Sequence, residues 1–147
     1  MLDVFQTLIG PIIWICVCGF AVAVGGRAEK NVGAALMVAW LTALMADRNF
    51  SYLDYRAIAY FIIDLTLACW ILFQMDRFND SWIPWTAGFQ AIVVLVHLVT
   101  FVNVDIGQIA HISAQIVGTY GVLVSLAIGA FWSWQLREAL RPRDGEL

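Results

Sequence analysis

An all-α integral membrane bundle of five transmembrane helices is the fold class this sequence predicts. Three observations predict it. Hydrophobic residues make up 62% of the 147 positions, against about 45–50% in a typical soluble domain. Charged residues are only 13%, roughly half the usual share. The apolar residues also fall into five runs joined by short polar links, and a backbone in lipid is satisfied within a single segment only as a helix.

The runs give helices over about 4–25, 32–46, 57–73, 82–102 and 109–136, with a basic tail over 137–147. The first carries Pro11 near its start, where a helix tolerates it. The second is short against the ~20 residues that span a hydrocarbon core, so it calls for local thinning or burial in the bundle. The third holds one charge, Asp64, with no other between Arg56 and Asp76. The fifth is over-long, so its final turns emerge at the headgroups. The links are too short for a folded domain and force successive helices antiparallel. The chain is a single membrane domain.

Orientation follows from Lys and Arg. With the N-terminus outside, Arg27, Lys30, Arg77, Arg137, Arg141 and Arg143 face the cytoplasm, and only Arg48 and Arg56 lie outside. The positive-inside rule therefore favours N-out, C-in. Trp70, Trp82, Trp85, Trp132 and Trp134 then gather at the cytoplasmic interface, and Phe50, Tyr52, Tyr55 and Tyr60 at the outer one, as aromatic belts. A retained anchor fits the start better than a cleaved signal, because Asp3 stands where a positive n-region would be.

Helix association in lipid comes from close packing and hydrogen bonds. Small residues at helical spacing mark candidate packing faces: Gly19 and Ala23; Ala35, Ala39 and Ala43; and Gly121, Ser125 and Gly129. These serve either the bundle interior or an oligomer interface. Polar residues also recur on single faces. Thr86, Gln90, Val93, His97 and Thr100 form one stripe, and His111, Gln115, Gly118, Val122 and Ser125 another. Counted from the turn near Asp105, His97 and Gln115 share a depth, as do Thr100 and His111, which predicts hydrogen bonds across that hairpin.

A carboxylate at bilayer depth costs several kcal/mol unless neutral, paired or wetted. Asp64 therefore needs a partner, and Tyr60, Gln90, His97 and His111 are the candidates. It serves as a packing residue, as part of a proton or ion relay with His97 or His111, or as the lining of an oligomeric pore. Two histidines also invite haem, but neighbouring helices pack about 8–10 Å apart and leave no room for it between them. No cofactor is expected. No metal site is expected either: Cys16, Cys18 and Cys69 are scattered, and no His or Cys pair stands at i, i+4. No serine lies in a Gly-x-Ser-x-Gly turn, and no basic run suggests nucleic acid. The chain reads as non-enzymatic.

Ile63-Asp64-Leu65 within a helix, Phe89-Gln90-Ala91-Ile92, Val96-His97-Leu98, and a last helix ending in aromatics and a basic tail resemble small polytopic membrane proteins of bacterial and phage genomes, some of them holin-like. The resemblance implies pore formation on self-association and assigns no residue a role. The expectation is a small protein of a prokaryotic inner membrane, in contact with the lipid bilayer. It would act through helix packing, as an accessory subunit of a larger complex, a homo-oligomer or a pore. A small ion or proton channel or transporter built on Asp64 is the alternative.

Overall fold

The computed structural model describes residues 9–49, 53–102 and 108–141. They form five helices, α1 (Gly10–Val24), α2 (Arg27–Asn49), α3 (Leu53–Arg77), α4 (Ile83–Phe101) and α5 (Gln108–Ala139), with no strand among the described residues. Residues 4–8 of the expected first helix and 142–147 of the tail lie outside the described residues.

Helix α4 agrees with its apolar run to within one residue at each end. Helices α3 and α5 outrun theirs at the C-terminal end, where most of the polar residues that follow are good helix formers, and α3 also begins four residues earlier, at Leu53. The larger correction concerns α2, which has 23 residues rather than the expected 32–46. Its first turn holds Arg27, Glu29 and Lys30, which read as a loop by hydropathy. Glu29 belongs there for two reasons. An acidic residue is favoured at a helix N-terminus by the macrodipole, and its carboxylate accepts a hydrogen bond from Ser133 Oγ at 2.6 Å. Gly25 makes the tight passage from α1 to α2 feasible: its N–H bonds the Ala21 carbonyl at 2.9 Å, and a Cβ there would collide with that carbonyl and with the Glu29 side chain.

Each helix packs on its predecessor, and α1 also packs on α5, so the five close into a ring; α5 reaches across it to α2. The Asp47–Arg56 ion pair (3.5 Å) sets the α2–α3 register. Counted down both helices from that pair, Ala43 is level with Tyr60, Ala39 with Asp64, Leu36 with Leu67, Val32 with Ile71, and Glu29 with Gln74. Below Asp64 the interior is a dry core that includes Cys18, Val32, Leu36, Leu67, Ile71, Ile83, Val122 and Leu126.

The outside is apolar as well. Ile12, Val38, Ile62, Leu95 and Ile128 all face outward, while Glu29, Gln74, Thr86, Gln90, His97 and Ser125 are buried. A soluble monomer rarely exposes so much contiguous apolar surface, whereas polar groups turned inward suit a bundle in lipid. Three helical stretches are long and apolar enough to cross a membrane: Tyr55–Arg77, Ile83–Phe101 and Ile109–Ala139. Helix α1 is apolar but shorter.

The small-residue faces divide. A Cβ on Gly121 would run into the Phe89 ring, one on Gly129 would lie 2.7 Å from the Trp82 indole, and one on Gly118 would lie 2.6 Å from Val93. Ser125 Oγ bonds the Gly121 carbonyl at 2.8 Å. This series therefore serves the α4–α5 contact. Ala35, Ala39 and Ala43 are half-buried where α2 meets α3. Gly19 and Ala23 instead face outward, with open space around Gly19, and α1 uses Cys18 and Ala21 inward.

Candidate functional site

Asp64 sits at the middle of α3, and α4 supplies its partners. Residues 86, 90, 93 and 97 form a buried stripe because spacings of four, three and four keep them on one face. His97 Nε2 lies 3.0 Å from Asp64 Oδ2. Gln90 Nε2 donates to Asp64 Oδ1 at 3.1 Å and to the Asp64 backbone carbonyl at 3.2 Å. Both carboxylate oxygens are therefore engaged from the facing helix. The Asp64 and His97 side chains are 23% and 9% exposed, so the pair is largely out of bulk solvent. The edge-on contact of Phe61 with Phe101, 5.3 Å between centroids, ties α3 to α4 nearby.

The pair borders a cavity of about 240 Å³ to which all five helices contribute. Helix α1 supplies Trp14, α2 supplies Trp40, α3 supplies Tyr60 and Asp64, α4 supplies Gln90 and His97, and α5 supplies Gln115 and Thr119. By register the cavity lies in the half of the ring toward Asp47 and Arg56, above the dry core. The Trp14 Nε1–H is buried without a hydrogen-bond partner.

The expected relay residues separate on this geometry. Tyr60, Asp64, Gln90, His97 and Gln115 converge on the cavity. Tyr60 lines the cavity as well, and its hydroxyl faces the Asp47 carboxylate. His97 bonds Asp64 rather than Gln115, although the shared depth of His97 and Gln115 is reflected in their common cavity. His111 does not join them. It borders a shallow recess between α4 and α5 with Ile92, Leu95, Val96, Val99 and Ala114. Thr100, expected to bond His111, donates to the Val96 carbonyl of its own helix at 2.9 Å. Among the described residues there is no cluster of three or more His, Cys, Asp or Glu suited to a metal.

Sequence reasoning missed Trp14, Trp40 and Thr119. Tryptophan in a membrane chain reads first as an interfacial anchor, and here only some of them face outward. Trp70, Trp85, Trp132 and Trp134 are exposed, but Trp82 is buried against Gly129.

A second polar group lies at the far end of the ring, where Glu29 is 2% exposed and Gln74 is 1% exposed. The signal for Glu29 was its place on the stripe 29, 32, 36, 39 and 43. In the turn before α4, Asp80 is held above the ordinary carboxylate range by partial burial first and by the nearby Glu29 charge second. The sign follows: the folded protein binds that proton more tightly than the unfolded chain, so ionising Asp80 opposes folding. Asp80→Asn should therefore raise the melting temperature at pH 7. The gain over wild type should fade as the pH falls through the raised value, where Asp80 is already neutral. Paired thermal melts in detergent from pH 7 to pH 4 check this.

Comparison with protein-family models, curated proteins and solved structures finds no match.

Proposed function

We propose that this chain is a multi-pass membrane protein that takes up and passes a proton or small cation at Asp64, with His97 as the proton partner and Gln90 as the group that fixes the carboxylate. The observation that carries this reading is the convergence of the Asp64–His97 pair with Gln90, Gln115 and Thr119 on one cavity lined by all five helices. A carboxylate needed only for packing could be replaced by an amide without loss. One that borders a cavity beside an imidazole has a partner for its proton. Intramembrane ionisable groups of this kind mark ion and proton pathways. The chemistry is transfer without bond making at carbon, so the reading is non-enzymatic.

In this reading all five helices span the bilayer of a prokaryotic inner membrane. Helix α2 does so with its charged first turn at the cytoplasmic surface. The cavity opens toward the outer side, and the core below Asp64 is the barrier. The Gly121, Ser125 and Gly129 series meets Phe89 and Trp82 of the same chain, so self-association would have to use another face.

The test is proton movement into proteoliposomes under an imposed potential, followed with an enclosed pH dye. Wild type should carry protons, and Asp64→Asn should reduce the rate to that of empty liposomes while keeping the helical circular dichroism. Flux that survives Asp64→Asn unchanged sinks the reading. For orientation, a cysteine replacing Gly145 should react with a membrane-impermeant maleimide only after permeabilisation, scored against a variant lacking Cys16, Cys18 and Cys69. Labelling in intact cells reverses the topology.

A further inference from the structure

The cavity beside Asp64 has a composition that a proton site alone does not need. Three aromatic side chains, Trp14, Trp40 and Tyr60, come to it from three helices. The titratable groups bordering it are Tyr60 and Asp64 of α3 and His97 of α4; α1, α2 and α5 contribute none among its lining residues. The nearest opposed charges at the mouth, Asp47 and Arg56, satisfy each other. When Asp64 is ionised and His97 neutral, the lining of the cavity carries one uncompensated negative charge. A buried charge of that kind demands compensation. A proton on the pair supplies it. So does a cation in the cavity, but not both at once.

We propose that the cavity binds a small organic ammonium ion, held by the Asp64 carboxylate and the rings of Trp14, Trp40 and Tyr60, in exchange for the proton of the Asp64–His97 pair. This deepens the preceding reading and rests on it. Size and chemistry select the class. At about 240 Å³ the cavity is smaller than the ~300–1,000 Å³ of pockets for drug-sized ligands. A hard metal cation takes about six or more oxygen ligands, whereas this lining is rich in rings. Aromatic rings stabilise an alkylated ammonium through their quadrupole while replacing little of a hydration shell it scarcely has.

The experiment uses the full chain in detergent, weakly buffered, with tetramethylammonium chloride as the probe and sodium chloride at equal ionic strength as the control. Tetramethylammonium should release protons saturably, up to about one per protein, and its apparent affinity should fall as the pH is lowered, as competition requires. Asp64→Asn should release none, and Trp40→Leu should weaken the apparent affinity by roughly tenfold. Wild type releasing no more protons to tetramethylammonium than to sodium overturns the inference, and this result needs no variant to fold. Release unchanged in Asp64→Asn, or affinity unchanged in Trp40→Leu, overturns it as well. Proton movement into proteoliposomes is measured without any ammonium ion. If that movement still depends on Asp64, the relay stands while the ammonium site falls.

Discussion

Gly121→Leu should separate α5 from α4 and destabilise the folded protein by at least ~3 kcal/mol, the upper end for overpacking a well-packed interior. The reason is geometric. Even a Cβ at this position would overlap the Phe89 ring, and Phe89 is packed against the core. A whole isobutyl group cannot be accommodated by rotating one side chain. Gly118 and Gly129 make the same approach on either side, to Val93 and Trp82, so relief along the helix is blocked in both directions. In lipid no hydrophobic gain offsets the clash, because the leucine is equally at home among acyl chains. Gly19→Leu is the control: nothing lies within 4 Å of a Cβ there, and the change should be close to neutral. Unfolding of both variants in mixed micelles, followed by circular dichroism, decides the matter. Equal stability of Gly121→Leu and wild type would mean that the α4–α5 contact is not as described.

His97→Leu should be the second costly change. Two magnitudes compete. An interhelical hydrogen bond in a membrane is worth about 0.6 kcal/mol on average. Leaving a buried charged group without its partner costs about 3–5 kcal/mol. Asp64 is mostly buried and Gln90 alone would then face its carboxyl group, so the loss should exceed the hydrogen-bond figure. Adding Asp64→Asn to His97→Leu should recover part of the stability, because no carboxyl group is then left without its partner. Urea or detergent titrations of the two single variants and the double give the coupling directly. A loss no larger than the hydrogen-bond figure, or no recovery in the double variant, would show that His97 does not support Asp64.

Much of this was legible from the chain alone, for reasons that vary by element. Helices α3, α4 and α5 follow from uninterrupted apolar runs, and Asp64 stood out as the lone charge in one of them. The α4 stripe through Gln90 and His97 was visible in its spacing. Which histidine meets Asp64 was not, because hairpin depth said nothing about which way each face turns in a ring. His111 turned out to border a recess between α4 and α5 and not the cavity. The start of α2 was hidden because Arg27, Glu29 and Lys30 look like a loop to any hydropathy argument. Glu29 is tolerated because it sits in the first turn of a helix and because Ser133, more than a hundred positions away, meets it. The aromatic lining was hidden for a related reason: a tryptophan that borders a cavity and one that anchors at a headgroup have the same letter.

An odd number of antiparallel neighbours closed into a ring has one consequence for biogenesis. Four of the five seams join helices linked by a few residues, and those can zip as each hairpin emerges. The fifth, between α1 and α5, joins two helices that run the same way and are furthest apart in the chain, so it closes last. By then α3 and α4 have both left the ribosome. The acidic group that is hardest to leave in oil can find its imidazole before the circle is complete.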